Sequence, residues 1–188
     1  MLNANGVNAV ITRLSKAALL AMTLSVPAAH ATNFDYNHIQ VNVLANPSGI
    51  GGLGRFAFTE GAHFVAKGDT QFEGDWYTSG GVGFHAPINQ FVDVYGELEG
   101  AWFRRPDDDK HDTGDFATVI GAGLRGWVAP PIEANLYVGS IIFDQDDTTS
   151  LVEIGGRFHS TETLSLGATW RANGLEQNRL IFSVRYLY

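Results

Sequence analysis

The last eleven residues of the chain, Asn178-Arg-Leu-Ile-Phe-Ser-Val-Arg-Tyr-Leu-Tyr188, carry the pattern that decides the fold. Read with the period of two that a β-strand imposes, one face of this stretch is entirely apolar or aromatic, while the opposite face carries Arg179 and Arg185. A strand of about ten residues with one oily face and an aromatic end is typical of the closing strand of a membrane-spanning barrel. The closing strand of a soluble β-sandwich is the alternative. The apolar face consists of Leu180, Phe182, Val184, Tyr186 and Tyr188.

This ending resembles the carboxy-terminal strand of small bacterial outer-membrane barrel proteins of the OmpA/OmpX and opacity-protein kind. The resemblance covers the chain from residue 32 to residue 188 as a pattern, and no motif assigns a subfamily. It implies that the apolar face of the last strand is the membrane insertion signal read by the barrel-assembly machinery. It also implies a monomer in the cell outer membrane, in contact with outer-membrane lipid and lipopolysaccharide.

Length and composition exclude several other classes of protein. A chain of 188 residues predicts one domain, and 12 basic against 20 acidic residues give a net charge of −8. Such an acidic chain is a poor candidate for binding nucleic acid, which depends on neutralising phosphates. The absence of cysteine excludes a disulfide framework and thiolate metal sites. We expect no cofactor.

The first 31 residues are predicted to be a cleaved secretory signal peptide. Arg13 and Lys16 precede an uncharged run from residue 17 to residue 29, and Ala29-His-Ala31 fits the small-x-small cleavage rule. The run is shorter than the roughly 20 residues that a membrane-spanning helix needs. Since no second long apolar run follows, a membrane protein made from residues 32–188 must be a closed barrel.

Ten segments of the remaining chain are predicted as strands. Short turns alternate with mostly longer polar connections, which indicates an antiparallel up-and-down transmembrane β-barrel with both termini on the turn side. If the two strands around Thr59–Ala62 fuse, or if the first segment lies outside the sheet, the count falls to eight. The predicted strands are Tyr36–Leu44, Leu53–Phe58, His63–Asp69, Trp76–Ala86, Phe91–Arg104, Phe116–Ala129, Ile132–Phe143, Leu151–His159, Leu164–Ala172 and Arg179–Tyr188.

The chemistry of the two strand faces indicates which one meets lipid. The apolar faces carry no charge, and a charge facing the middle of a bilayer would cost about 2–4 kcal/mol. The polar faces are rich in glycine, which leaves room for long side chains inside a narrow barrel: Gly81, Gly83, Gly121, Gly123, Gly139, Gly155 and Gly167. Trp127 shares the parity of Arg125, and we expect a bulge there. Aromatic girdles are predicted at Trp102, Phe143 and Trp170 on the loop side, and at Phe58, Phe84, Phe158 and Tyr186 on the turn side.

The charged faces predict a charge network in the lumen. One interpretation is a set of paired charges that fills the barrel, since buried charges must be paired and small barrels have little free interior. The other is the charged constriction of a narrow ion-conducting pore. The network comprises Arg55, Lys67, Asp93, Glu97, Glu99, Arg125, Glu133, Glu153, Arg157, Arg171 and Arg185, with His38, His63, His85 and His159 nearby by parity.

Two acidic loops, residues 106–115 and 144–147, offer oxygen ligands that suit calcium, but they lack the order of an EF-hand. We therefore predict solvated loops and no metal site.

Enzymes of similar architecture are a rival class, because lipid A deacylases use a His-x-Ser pair and omptin-type proteases use Asp-His pairs. Here His159 and Ser160 are adjacent and point to opposite faces. His111 and Asp112 match the protease pair only in residue type. A soluble lipocalin-like binder is a further alternative, suggested only by Gly74-Asp-Trp76. The sequence favours a protein without enzymatic activity, with a filled interior and a structural or adhesive role exercised through its surface loops.

Overall fold

The computed structural model describes residues 34–45, 47–72, 74–104, 115–143, 148–173 and 178–188. The predicted signal peptide, most of the first acidic loop with His111 and Asp112, and the second acidic loop lie outside the described residues. Within the described ranges, no helix has the length and apolar character needed to cross a membrane.

Ten antiparallel strands close into one barrel, in which each strand pairs with its neighbours in the chain and the first pairs with the last. The closing pair places His38 opposite Leu187 and Ala45 opposite Leu180. The prediction of a ten-stranded up-and-down barrel is therefore confirmed, and the eight-stranded alternative is wrong. The strands are β1 (His38–Ala45), β2 (Gly49–Thr59), β3 (Ala62–Thr70), β4 (Trp76–Asn89), β5 (Val92–Arg104), β6 (Asp115–Ala129), β7 (Ile132–Phe143), β8 (Thr148–His159), β9 (Leu164–Asn173) and β10 (Arg179–Leu187).

Several strands extend beyond their predicted ends. β2 begins at Gly49 rather than Leu53, β4 continues to Asn89 rather than Ala86, and β8 begins at Thr148 rather than Leu151. Glycine and proline with asparagine indicated loops at the first two places, and the polar segment 148–150 did so at the third, but neighbouring strands supply ladder partners that outweigh this local preference. Ile50, for example, lies opposite Val43 on β1 and Thr70 on β3.

The outer surface of the barrel is apolar along every strand. Large hydrophobic side chains are exposed there, among them Leu98 at 50% and Phe182 at 48%. All five residues of the proposed insertion face lie on this surface. Apart from the exposed Arg104 at the loop-side end of β5, most charged side chains of the described strands point inward and are buried or partly buried. This is an inversion of the soluble-barrel arrangement and typical of barrels that span membranes. A lipocalin-like interior is thereby contradicted.

Six of the seven predicted girdle aromatics are exposed on the outer surface: Phe58, Phe84, Trp102, Phe158, Trp170 and Tyr186. The assignment of Phe143 to the girdle was wrong. Ile142 holds the outward position on β7, so the next residue turns inward by strand alternation. Phe143 packs inside the barrel, with its ring 5.6 Å from that of Phe103.

Trp127 keeps the inward parity of Arg125. The register shift expected near it occurs between Trp127 and Ala129, where β6 meets β7. The indole faces the lumen, where the ring of Phe34 stacks on it with 5.1 Å between the ring centroids.

Candidate functional site

Residues 34–37, which precede β1 and are named here the N-terminal stopper, pack into the turn side of the lumen. The ring of Tyr36 lies 3.6 Å from that of His85, and Phe34 stacks on Trp127. The guanidinium of Arg125 lies 4.5 Å from the Phe34 ring centroid and 5.2 Å from that of Tyr36. Both stopper rings are almost fully buried, and burial raises the pKa of Tyr36 to about 12. Stacking and cation–π contacts therefore hold the segment inside the barrel.

Above the stopper, Glu97 on β5 is the centre of the first charge cluster. Arg55 donates to its Oε1 from both Nε and Nη2 at 2.7 Å, and Lys67 Nζ donates to its Oε2 at 3.1 Å. Lys67 also donates to Glu99 at 2.7 Å, which accepts a further hydrogen bond from Ser79. Four strands, β2 to β5, are thus tied together by charge-assisted hydrogen bonds.

Glu133 on β7 is the centre of a second cluster. Arg125 donates to its two oxygens at 2.9 and 3.0 Å in the bidentate manner that carboxylates favour. His159 Nε2 lies 3.0 Å from the same carboxylate, and Arg185 Nη1 lies 3.6 Å away. Asp93, fully buried on β5, stands opposite Arg125 in the strand register.

A third pair lies toward the loop side. Arg171 Nε donates to Glu153 at 2.7 Å, and its Nη1 lies 3.8 Å from Asp69. These charges are less buried than the first two clusters.

Arg157 differs from the other interior arginines. Its guanidinium donates to Gln40 Oε1 at 2.8 Å, to Ser183 Oγ at 2.8 Å and to Ser165 Oγ at 3.2 Å. Among the described residues, these hydrogen-bond acceptors are all neutral. Arg185 shares the same Gln40 oxygen at 3.1 Å.

All eleven network residues, which strand parity assigned to inward faces, lie in the lumen. Several further residues that line the lumen were not among those predicted. Gln40, Asp69 and Ser79 share the inward parity of charged neighbours, a signal that could have found them. Phe34 and Tyr36 precede the first strand, so no strand parity could indicate their inward position.

Aromatic rings continue from the stopper into the middle of the barrel. Tyr95 and Tyr137 stack at 5.9 Å between centroids. Glycine makes room for them, because a Cβ on Gly123 would collide with the Tyr95 ring and one on Gly121 would collide with that of Tyr137. Nearer the loop side, an apolar cluster replaces the charges: Ala101, Phe103, Ala117, Val119 and Ile141, with Tyr77 and Phe143 packed against it.

Beside Glu97 a cavity of about 60 Å³ remains. A buried water needs at least about 10–15 Å³ on this measure, so the cavity has room for a few waters. Its polar lining includes Gln40, Lys67, Glu153 and Arg171. On the turn side, an open cavity of about 460 Å³ reaches Arg125 and His159 past the stopper.

The residues considered for catalysis are not arranged as a nucleophile and its base. Ser160 Oγ donates to the Leu164 carbonyl oxygen at 2.9 Å, whereas the His159 ring faces Glu133 inside the lumen. The described part of the chain contains no group of three or more histidine or acidic side chains placed to hold a metal ion.

The fold and this lumen define a closed, inside-polar antiparallel barrel. No protein-family model matches the chain, and no curated protein matches it. Among solved structures, the chain is similar in fold to one described as KdgM porin, with a TM-score of 0.52 at 7% identity, over 80% of this chain and 99% of the porin. Less similar are NanC porin, with a TM-score of 0.47, 7% identity and coverage of 80% and 98%, and a bacterial polysaccharide outer membrane secretin, with 0.46, 12%, 82% and 66%.

Proposed function

We propose that the protein is a monomeric barrel integral to a bacterial outer membrane, with a filled lumen and a structural or adhesive role exercised through its loops. The observation that carries the membrane location is the outward belt of apolar side chains over a charged, buried interior. Water would disfavour such a belt, whereas acyl chains match it. The partners in this proposal are outer-membrane lipid, lipopolysaccharide and the barrel-assembly machinery, which would read the exposed aromatic face of β10.

The filled lumen is supported by three layers of contact. The stopper occupies the turn side, the clusters around Glu97 and Glu133 bridge the middle, and apolar side chains meet near the loop side. Ions crossing this path would have to separate paired charges, which costs several kcal/mol when one partner loses the other.

Two measurements on the refolded chain from residue 32 test this function. Unboiled protein should migrate faster than boiled protein on a gel, and planar bilayers containing the folded protein should show no channel steps. A processed chain that stayed monomeric in water without detergent would disprove the membrane location. Resolvable channel steps would disprove the filled lumen.

The adhesive role has a separate test on whole cells. Bacteria carrying the protein with residues 106–114 replaced by a glycine-serine linker should attach less to a surface than bacteria carrying the natural loop. Equal heat-modifiability of both proteins would establish that the barrel itself is unchanged. Equal attachment would argue against an adhesive role for this loop.

A narrow pore is the second candidate, favoured by the nature of the stopper. The stopper lies outside the strand ladder, and besides its ring contacts it is held by few hydrogen bonds, such as that from Ala57 N to Asn37 Oδ1 at 2.9 Å. If its withdrawal opens the lumen, replacing Phe34 and Tyr36 together by alanine should produce channel steps. Replacing the outward Phe58 by alanine is the matched control. A silent double variant would remove the pore from consideration.

A further inference from the structure

His38 is a fully buried polar side chain of the turn-side lumen. It faces inward from β1, opposite Arg55, and is 0% exposed. Neither ring nitrogen has a hydrogen-bond partner among the described residues. A buried polar ring without a partner costs free energy, so such a side chain in a filled interior indicates a ligand.

The groups around this ring are cationic. Arg55 lies opposite His38 in the strand register, and Arg157 and Arg185 both donate to Gln40, the next inward residue of β1. These three guanidiniums and that of Arg125 act electrostatically on the buried His38 ring. Two of the four have close carboxylate partners: Arg55 is paired with Glu97 and Arg125 with Glu133.

The guanidiniums of Arg157 and Arg185 have no carboxylate within hydrogen-bond distance among the described residues. Arg157 donates only to neutral oxygens of the described residues. Arg185 donates to the same neutral Gln40 oxygen and reaches Glu133 only at 3.6 Å. That carboxylate already accepts two hydrogen bonds from Arg125 and contacts His159. Moreover, Arg185 Nη1 is buried without a hydrogen-bond partner in the described chain.

Asp93, fully buried opposite Arg125, is a third carboxylate of this region beside Glu97 and Glu133. Four guanidiniums therefore face three carboxylates, and because an uncompensated buried charge is strongly unfavourable, this corner of the lumen needs about one further negative charge. The donors available to a ligand are the His38 ring and the Arg185 Nη1 group, next to the guanidinium of Arg157. The His38 ring is fully buried and the Arg185 Nη1 group is buried as well, so a large solute would not reach them. A small monovalent ion satisfies both the charge and the size.

We propose that the lumen binds one small inorganic anion, chloride in ordinary salt solution, among His38, Arg157 and Arg185. In its neutral form, His38 donates one ring N–H to the ion. The ion enters from the turn side, where the open cavity beside Phe34 reaches Arg125 and His159. It completes the charge balance of the interior, whether or not the lumen conducts.

Crystals of the refolded protein soaked in sodium bromide give the direct test. An anomalous scattering peak in contact with the His38 ring and Arg185 would support the site. An ordered water at that position, or bromide only on the outer surface, would overturn it.

Stability measurements give an independent test. The refolded barrel should unfold less readily in sodium chloride than in sodium gluconate at equal ionic strength, because gluconate is too large for this space. When the chloride concentration is about nine times the dissociation constant, the unfolding equilibrium constant should be about tenfold smaller. An equal response to the two salts would contradict the proposal.

Variants locate the effect. Arg157→Gln and Arg185→Gln should each abolish the difference between the salts. Arg171→Gln is the matched control, because Arg171 is paired with Glu153 on the loop side, and this variant should keep the difference. Retention of the full chloride effect in both site variants would overturn the proposal. If the site variants do not refold, the bromide crystal of the unaltered protein decides.

Discussion

The substitution Gly81→Ala tests whether interior glycine sets the strand spacing of this barrel. A Cβ added at Gly81 would collide with the Leu98 carbonyl oxygen on β5 and would lie 2.7 Å from the Glu99 Cα. Ordinary contact begins at 3.4 Å, so β4 and β5 would have to separate locally by at least roughly 0.7 Å. The obstacle is backbone rather than a flexible side chain, so rotamer changes cannot relieve it.

The adjacent residue provides a matched control. Gly80 belongs to the same strand but faces outward, and a Cβ there would meet nothing closer than the Val65 carbonyl oxygen at 3.9 Å. Overpacking of a filled interior costs about 1–3 kcal/mol. Replacing a compatible glycine by alanine stabilises by about 0.4–1 kcal/mol through the unfolded chain. We therefore expect Gly81→Ala to destabilise the barrel by about 1–2 kcal/mol and Gly80→Ala to leave it equal or more stable.

Urea titration of the refolded variants, followed by tryptophan fluorescence and by gel mobility without boiling, measures both effects. The midpoint for Gly81→Ala should fall while the slope of the transition stays the same. Equal midpoints for the two variants would refute the reasoning, because they would show that the inward and outward faces impose the same steric limits. A lower midpoint for Gly80→Ala would refute the assignment of the faces.

Three further predictions concern the belt, the charge network and the stopper. Leu98→Arg places a cation on the lipid face near the middle of β5 and should cost about 2–4 kcal/mol by urea titration in lipid vesicles. Glu97→Gln leaves buried cations without their carboxylate and should cost about 3–5 kcal/mol, whereas Glu162→Gln in an exposed turn should change stability by less than about 0.5 kcal/mol. Burial raises the pKa of Tyr36 from 10 to about 12, so the contribution of its neutral hydroxyl to the free energy of unfolding is complete below pH 10 and is lost as pH rises toward 12. The Tyr36→Phe variant should therefore lose less stability over that interval, as measured by alkaline unfolding.

The strand pattern was readable from the sequence because alternation is a local property. Each residue of β10 has its face decided by its position in the strand, and the oily set from Leu180 to Tyr188 is exposed throughout. The same alternation explains the error at Phe143. Phe143 is aromatic and lies at a strand end, as girdle residues do, but the parity of β7 directs its side chain inward.

The pairing of charges was not readable in the same way. Glu97 meets Arg55 across 42 residues of sequence, and Arg157 meets Gln40 across 117. Parity shows that these side chains face inward, but several inward cations could have met each carboxylate. Which of them meet depends on the stagger between strands, and that stagger is set by closure of the whole barrel.

The amino-acid sequence by itself favoured ten strands over eight, and it determined their antiparallel order and, apart from Phe143, the side of each strand that faces the lumen. Hydrophobic alternation and turn residues act over a few neighbouring positions, which is why they could be read locally. Closure of the structure decided the count of ten. Only the tertiary structure decided that residues 34–37 pack into the turn side of the lumen and that Arg157 donates to neutral partners near His38. Both features depend on which side chains from distant strands meet in the lumen. That meeting is set by the strand register and the side-chain volumes of the closed barrel, which a local sequence pattern does not contain.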